Sequence, residues 1–191
     1  GYAWNKVYRV QSLRESGVVF EKITLIEDIK FNVSYFDSVC SMNVLNTTPY
    51  HYLKRIDGSL TNKFLPDYFT LNAKRVSLVL EQYKNWGMCT EEVRRILANI
   101  YVRYLFSALQ RNCDKRSDMN HAQRKEWLKQ QYKTPLCKEL LSAVQASGTL
   151  FKCMAKAFCA GNIPLCLMIA RSIFAVKSAF PTVFSTLKQQ H

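Results

Sequence analysis

The sequence predicts an α+β chain that is mainly helical, on three observations. Residues 17–26 (GVVFEKITLI) are β-branched and apolar around Glu21 and Lys22, the composition of a strand or an extended loop. The punctuation of the first third, Pro49 and the turn Asp57-Gly58-Ser59, belongs to short extended segments. Past Pro66 the apolar residues recur at helical spacing instead. The change of character places a boundary near Pro66 and divides the chain into residues 1–66 and 67–191.

Taken in order, Ala3 to Val10 mixes aromatics with Asn5, Lys6 and Arg9 and leaves little room for a complete element. From Asp28 onward Ile29, Val33, Phe36 and Cys40 share one face, which predicts a helix to about Ser41. Met42 to Thr48 reads as a strand broken by Pro49, and Tyr50 to Arg55 as a second strand running into the Asp57-Gly58 turn. Residues 69–86 carry Val76, Val79, Leu80, Tyr83 and Trp86, with Gly87 in the place of a C-terminal cap. The clearest helix follows: Thr90 as N-cap, Glu91 and Glu92 in the first turn, then one apolar stripe of Val93, Ile96, Leu97, Ile100, Tyr101, Tyr104, Leu105 and Ala108. Residues 115–133 read as a solvated basic helix anchored by Trp127. Thr134-Pro135, Gly148-Thr149 and Gly161-Asn162 open three more, the first with proline at its first position.

The chain has 191 residues, 48% of them hydrophobic and 21% charged, a globular composition with enough length to bury a core. Its 27 Lys+Arg against 14 Asp+Glu give a formal net charge of +13, a field suited to nucleic acid, anionic headgroups or diphosphates. No acidic residue follows Glu139, whereas Lys152, Lys156, Arg171, Lys177 and Lys188 do. That basic, aliphatic third suits either an anionic membrane surface or a helical core with a basic face. Seven cysteines without a C-x-x-C spacing argue against a zinc site or a disulfide framework and for a reducing cytoplasm. Cys153, Cys159 and Cys166 read as small hydrophobes among apolar neighbours. The longest uncharged run, Ala157 to Ala170, is too short to span a bilayer.

Three stretches of the first third could carry chemistry. The segment Trp4-Asn5-Lys6-Val7-Tyr8-Arg9 offers Lys6 and Arg9 to a phosphate or a sugar hydroxyl. Glu27-Asp28 sets two carboxylates just before or within the first turn of a helix, which is also ordinary helix chemistry, because the N-terminus favours negative charge. Between Tyr50 and Thr61, Arg55 and Ser59 flank Gly58, a pairing suited to gripping a diphosphate. His51, His121 and His191 are too scattered to form a metal or catalytic cluster.

In order and spacing these stretches resemble the later part of the family 2 glycosyltransferases of the bacterial cell-surface polysaccharide type, enzymes with a GT-A fold. The resemblance rests on Trp4 to Arg9, on Phe20 with Glu27-Asp28-Ile29-Lys30-Phe31, and on Tyr50, Tyr52, Arg55, Gly58, Ser59 and Thr61. It covers residues 2–62; the remainder matches only as a variable helical tail. It implies a short partial GT-A α/β remnant followed by a C-terminal helical bundle. Asp28 would be the general base for the acceptor hydroxyl, and Glu27 would orient the site. Arg55 and Ser59 would meet the donor diphosphate, and Lys6 and Trp4 would complete the substrate-binding set. The donor would be a nucleotide-sugar, and the acceptor a glycan or a lipid-linked sugar at the cytoplasmic, inner face of the plasma membrane, which the protein would contact peripherally.

The family's nucleotide-binding half and its metal-binding D-x-D have no counterpart here, so Mg²⁺ or Mn²⁺ is expected in the full-length enzyme with ligands outside this chain. The start at Gly-Tyr-Ala, with the first motif following at once, is what a fragment would show, and the chain alone is expected not to turn over. The competing reading is a basic helical module that binds nucleic acid or an anionic membrane. The lack of a helix-turn-helix, zinc-finger or aromatic RNA-binding signature argues against its nucleic-acid form.

Overall fold

A computed structural model describes residues 2–48, 50–51 and 64–180, and it is mainly helical, with eight helices and no β-strand among those residues. Two compact units divide the chain. The first holds residues 1–65 and 70–88, the second residues 66–69 and 89–191.

In the first unit, α1 (Val10–Ser16) ends at Gly17, whose φ of 64° is the left-handed conformation that closes helices. Helix α2 (Glu27–Phe36) follows, and then α3 (Tyr68–Asn85), which belongs to this unit from Thr70 onward. The buried apolar residues are Ile26, Ile29, Phe31 and Tyr35 with Val76 and Leu80. Gln82 of α3 is buried and donates to the Val33 carbonyl (2.7 Å) and to Asp37 Oδ1 (3.1 Å). Its amide takes up a carbonyl near the end of α2.

Residues 17–26 take the loop alternative rather than the strand, and the strand expected at Met42 to Thr48 is corrected. Residues 18–26 are irregular and end in a turn, and residues 41–48 form no ladder. A β-branched run becomes a strand only where another backbone pairs with it, and Val19, Phe20, Val44 and Leu45 stay more than half exposed. The expected α/β character of the N-terminal part therefore has no sheet among the described residues. Tyr50 and His51 of the second expected strand are not in a ladder either, and its remainder, residues 52–55, lies outside the described residues. Helix α1 is an element that the sequence pattern does not predict, and α2 ends at Phe36, short of Ser41.

The second unit is a helical bundle with α4 (Glu91–Arg111) as its spine. Around it are α5 (His121–Lys133), α6 (Pro135–Leu141), α7 (Thr149–Cys159) and α8 (Ile163–Ala179). Helix α4 packs on α6, α7 and α8, and α5 on α6 and α8. Thr90 caps α4 by accepting from the Val93 N–H, and Asn120 and Gln123 form a reciprocal capping box on α5. Of the predicted stripe of α4, Leu97, Tyr101, Leu105 and Ala108 are buried, whereas Val93, Ile100 and Tyr104 are half-buried and Ile96 is exposed. The core face is turned toward Ala98, Val102, Phe106 and Leu109 instead. Phe69 meets Tyr101 and Trp127 edge-on, with centroids 5.5 and 5.3 Å apart, so Trp127 is the expected anchor of α5. Asn99 clamps the loop after α6, donating to the Gln145 carbonyl (2.9 Å) and accepting from the Gln145 N–H (3.1 Å).

All seven cysteines are free. Cys137 and Cys166 are buried, but Cys153 and Cys159 are exposed rather than packed as small hydrophobes. Burial pushes the Cys166 thiol up to about 11. Among the described residues no helix is long and apolar enough to cross a membrane.

Two outcomes follow from this packing. Leu105→Ala is expected to destabilise the protein by about 3 kcal/mol in urea unfolding, because Leu105 is fully buried on the spine helix. Iodoacetamide followed by peptide mass mapping should label Cys40 and Cys153 first, leaving Cys137 and Cys166 unlabelled until the protein unfolds.

Candidate active site at the start of the second helix

Helix α2 opens on Glu27 and Asp28. No side chain caps its N-terminus, so the two carboxylates stand where the first-turn N–H groups favour negative charge. The approach is strained: Leu25 has φ of 76°, a left-handed conformation that a leucine adopts at a cost of about 1–2 kcal/mol. Arg75 of α3 donates to the Leu25 carbonyl at 2.7 Å and helps to hold the turn. Ile26, the next residue, is fully buried and pins the turn from inside.

Asn32 lies four residues after Asp28, one turn along the same helix. It is 1% exposed and donates from Nδ2 to the Asp28 carbonyl at 2.8 Å. Its Oδ1 accepts from the Tyr8 hydroxyl at 2.6 Å. Tyr8 is the tyrosine of the Trp4–Arg9 segment, so one buried amide ties that segment to the turn bearing the acidic pair. The Tyr8 ring also sits edge-on to Phe31 and Tyr35, at 5.4 and 5.2 Å, and Phe31 stacks flat on Phe20 at 4.0 Å. Lys30 forms an ion pair with Glu21, tying α2 to the irregular stretch before it.

The electrostatics follow the same geometry. Burial lowers the Lys6 ammonium below its usual value, and the negative charge of Asp28 opposes that shift. Burial also raises the Tyr8 phenol, and the Asp28 charge and Tyr35 add to the rise, while the bond to Asn32 works against it. The Lys6 amine donates to the Tyr2 carbonyl (2.8 Å) and to Asn5 Oδ1 (2.6 Å). Glu27 has a buried Oε2 with no hydrogen-bond partner among the described residues, an uncompensated acceptor inside the site.

Trp4 is part of an aromatic stack. Tyr2 lies on one contact at 5.0 Å and Tyr50 on another at 4.7 Å, both within 26° of parallel. The structure thus brings the first and third sequence stretches together at Trp4 and Tyr50, and the first and second at Tyr8 and Asn32. Arg55 and Ser59, with Tyr52, Gly58 and Thr61, lie outside the described residues.

Asn32 is the residue that sequence reasoning misses. A polar residue inside an amphipathic helix, one turn after the acidic pair, is the signal that points to it. For Mg²⁺ or Mn²⁺ the donor set does not fit, since no group of three His, Cys, Asp or Glu side chains that could hold a metal occurs among the described residues. No protein-family model, curated protein or solved structure matches the chain.

The strained turn has a direct test. At an ordinary helix-flanking site alanine is more stable than glycine, but at φ of 76° the order should invert. Leu25→Gly is expected to be more stable than Leu25→Ala by about 1 kcal/mol in paired urea unfolding curves. Equal or greater stability of the alanine variant would mean that the turn is relaxed.

Proposed function

We propose that the chain is the acceptor-side portion of an inverting glycosyltransferase that moves a sugar from a nucleotide-sugar donor to a glycan or lipid-linked acceptor. The observation that carries this reading is the buried link from Tyr8 through Asn32 to the Asp28 carbonyl, which joins two of the three stretches of the resemblance at the acidic pair. The left-handed Leu25 beside the pair adds support, because backbone strain of this kind collects at functional sites.

In this proposal the Asp28 carboxylate takes the proton of the acceptor hydroxyl. The acceptor oxygen then forms its bond to the anomeric carbon as the bond from that carbon to the diphosphate oxygen breaks. The electron pair leaves with the nucleoside diphosphate, and the configuration at carbon inverts. A positioned general base contributes on the order of 10²–10⁴ to the rate. Glu27 orients the site beside Asp28. Lys6 adds positive charge near Asp28, and Trp4 completes the substrate-binding set. Arg55 and Ser59 are assigned to the diphosphate, where their donors would offset the charge that develops on the leaving group. The nucleotide pocket and any Mg²⁺ or Mn²⁺ belong to residues outside this chain.

The protein would work at the cytoplasmic, inner face of the plasma membrane in surface polysaccharide synthesis. Its basic third would rest peripherally on anionic lipid beside a lipid-linked acceptor.

Asp28→Asn keeps the shape of the side chain and removes the base. In the whole protein it is expected to lower kcat for sugar transfer by about 10³-fold with little change in the acceptor KM, measured with a radiolabelled nucleotide-sugar. Transfer at the unaltered rate would remove Asp28 from the mechanism.

A further inference from the structure

Helix α8 turns a nearly uncharged face to solvent. Cys166, Leu167 and Ala170 are buried on one side, and Pro164, Met168, Ser172, Ala175, Val176 and Ala179 are exposed on the other. Met168 is 59% exposed and Val176 53%, and Phe180 at the C-cap is 58% exposed. The helix carries two charges, Arg171 and Lys177, and no acidic residue. Arg171 stands on the exposed face, whereas Lys177 donates to Gln110 of α4. A surface helix ordinarily sets charged residues opposite its core face. Helix α5 of the same unit does so, with Lys125, Glu126, Lys129 and Lys133 exposed.

The charge beside this face has one sign. Helix α7, which packs on α8, exposes Lys152 and Lys156 together with Leu150. The exposed Lys125 of α5 lines an apolar recess of about 260 Å³ with Pro164, Met168 and Arg171, so a further cation borders the face. Neither α7 nor α8 contains a carboxylate. Charge and apolarity together select the occupant. A second copy seated here by two-fold symmetry would set Arg171 and the lysines against their own counterparts, without a carboxylate on α7 or α8 to pair them. Nucleic acid would satisfy the cations but leave Met168 and Val176 against phosphate. An anionic bilayer offers both chemistries, with charge at the headgroups and hydrocarbon just beneath them.

We propose that the exposed face of α8 is the surface that enters an anionic membrane. Met168 and Val176 reach the boundary of the hydrocarbon, and Arg171, Lys152 and Lys156 meet the lipid phosphates. Among the described residues no helix is long and apolar enough to cross a membrane, and α8 lies along the surface instead. This contact rests on the glycosyltransferase reading above for its membrane setting, and assigns it to one inserted face. Insertion makes the affinity depend on individual apolar side chains, which attraction by net charge does not.

The test sediments the chain with vesicles of phosphatidylcholine alone and of an equimolar mixture of phosphatidylcholine and phosphatidylglycerol. Binding to the mixture and not to phosphatidylcholine is expected. Met168→Ser/Val176→Ser should weaken it about tenfold with unchanged thermal unfolding, because both side chains are exposed before they enter the lipid. Lys152→Gln/Lys156→Gln should weaken it about twentyfold. Met42→Ser/Val44→Ser, which makes the same chemical change at exposed positions of the first unit, should bind as the parent does. No sedimentation with the mixture, or an equal loss in the Met42/Val44 variant, would overturn the face. Loss in the lysine variant with none in Met168→Ser/Val176→Ser would reduce the contact to net charge and overturn insertion. A lipid-free dimer that Met168→Ser/Val176→Ser dissociates would make a second copy the occupant and also overturn it. Sugar transfer by the whole protein to a water-soluble acceptor tests the reaction separately: vesicle binding without transfer would keep the face and remove the enzyme reading.

Discussion

Asn32 has almost no solvent to bond, so both ends of its amide must find partners inside the protein, and they do so at Tyr8 and at the Asp28 carbonyl. Much of the N-terminal unit is arranged around that requirement. With Tyr8 held by its hydroxyl, its ring is placed against Phe31 and Tyr35, and Phe31 in turn carries Phe20. The irregular stretch of residues 18–26 is thereby fastened to α2 without a sheet to organise it. The acidic pair sits at the one point where helix start, strained turn and buried amide meet. Losing either bond removes a buried hydrogen bond, which contributes about 0.5–1.5 kcal/mol.

The two units rest on different physics. In the second, a long apolar stripe on α4 is covered by α6, α7 and α8, so hydrophobic burial does most of the organising and the caps set where each helix begins. In the first, α1 and α2 are short, only α3 is long, and the core is small. Single polar contacts such as Gln82 on the Val33 carbonyl and Arg75 on the Leu25 carbonyl have more to decide. Charge follows the same division. The candidate site of the first unit centres on an acidic pair, whereas the second unit has no acidic residue after Glu139.

That difference explains what is legible in the sequence. Helices α3 to α8 are legible because periodic apolar residues, Thr90, Pro135, Gly87 and Gly161 mark their faces and ends locally. Residues 18–26 and 41–48 have the composition of strands and do not form them, because β-branched composition describes a residue's preference and not whether a partner strand exists. Helix α1 is illegible since none of its residues is buried and no apolar stripe distinguishes it. At the candidate site the adjacent pair Glu27-Asp28 is visible as sequence. The bond between Tyr8 and Asn32 is not, because its partners are 24 residues apart and nothing local pairs one with the other. The stacking of Trp4 on Tyr50 is hidden for the same reason.

In the proposed mechanism Tyr8 and Asn32 serve the acidic pair as one link, and kinetics can separate one link from two. The decisive measurement is the rate of sugar transfer by the whole protein carrying Tyr8→Phe, Asn32→Ala, or both. If the link is a unit, breaking it at either end does most of the damage, and the double variant should be little slower than the worse single variant. Losses that multiply would show that the two residues act separately, and transfer unaffected by all three variants would contradict the role given to the link.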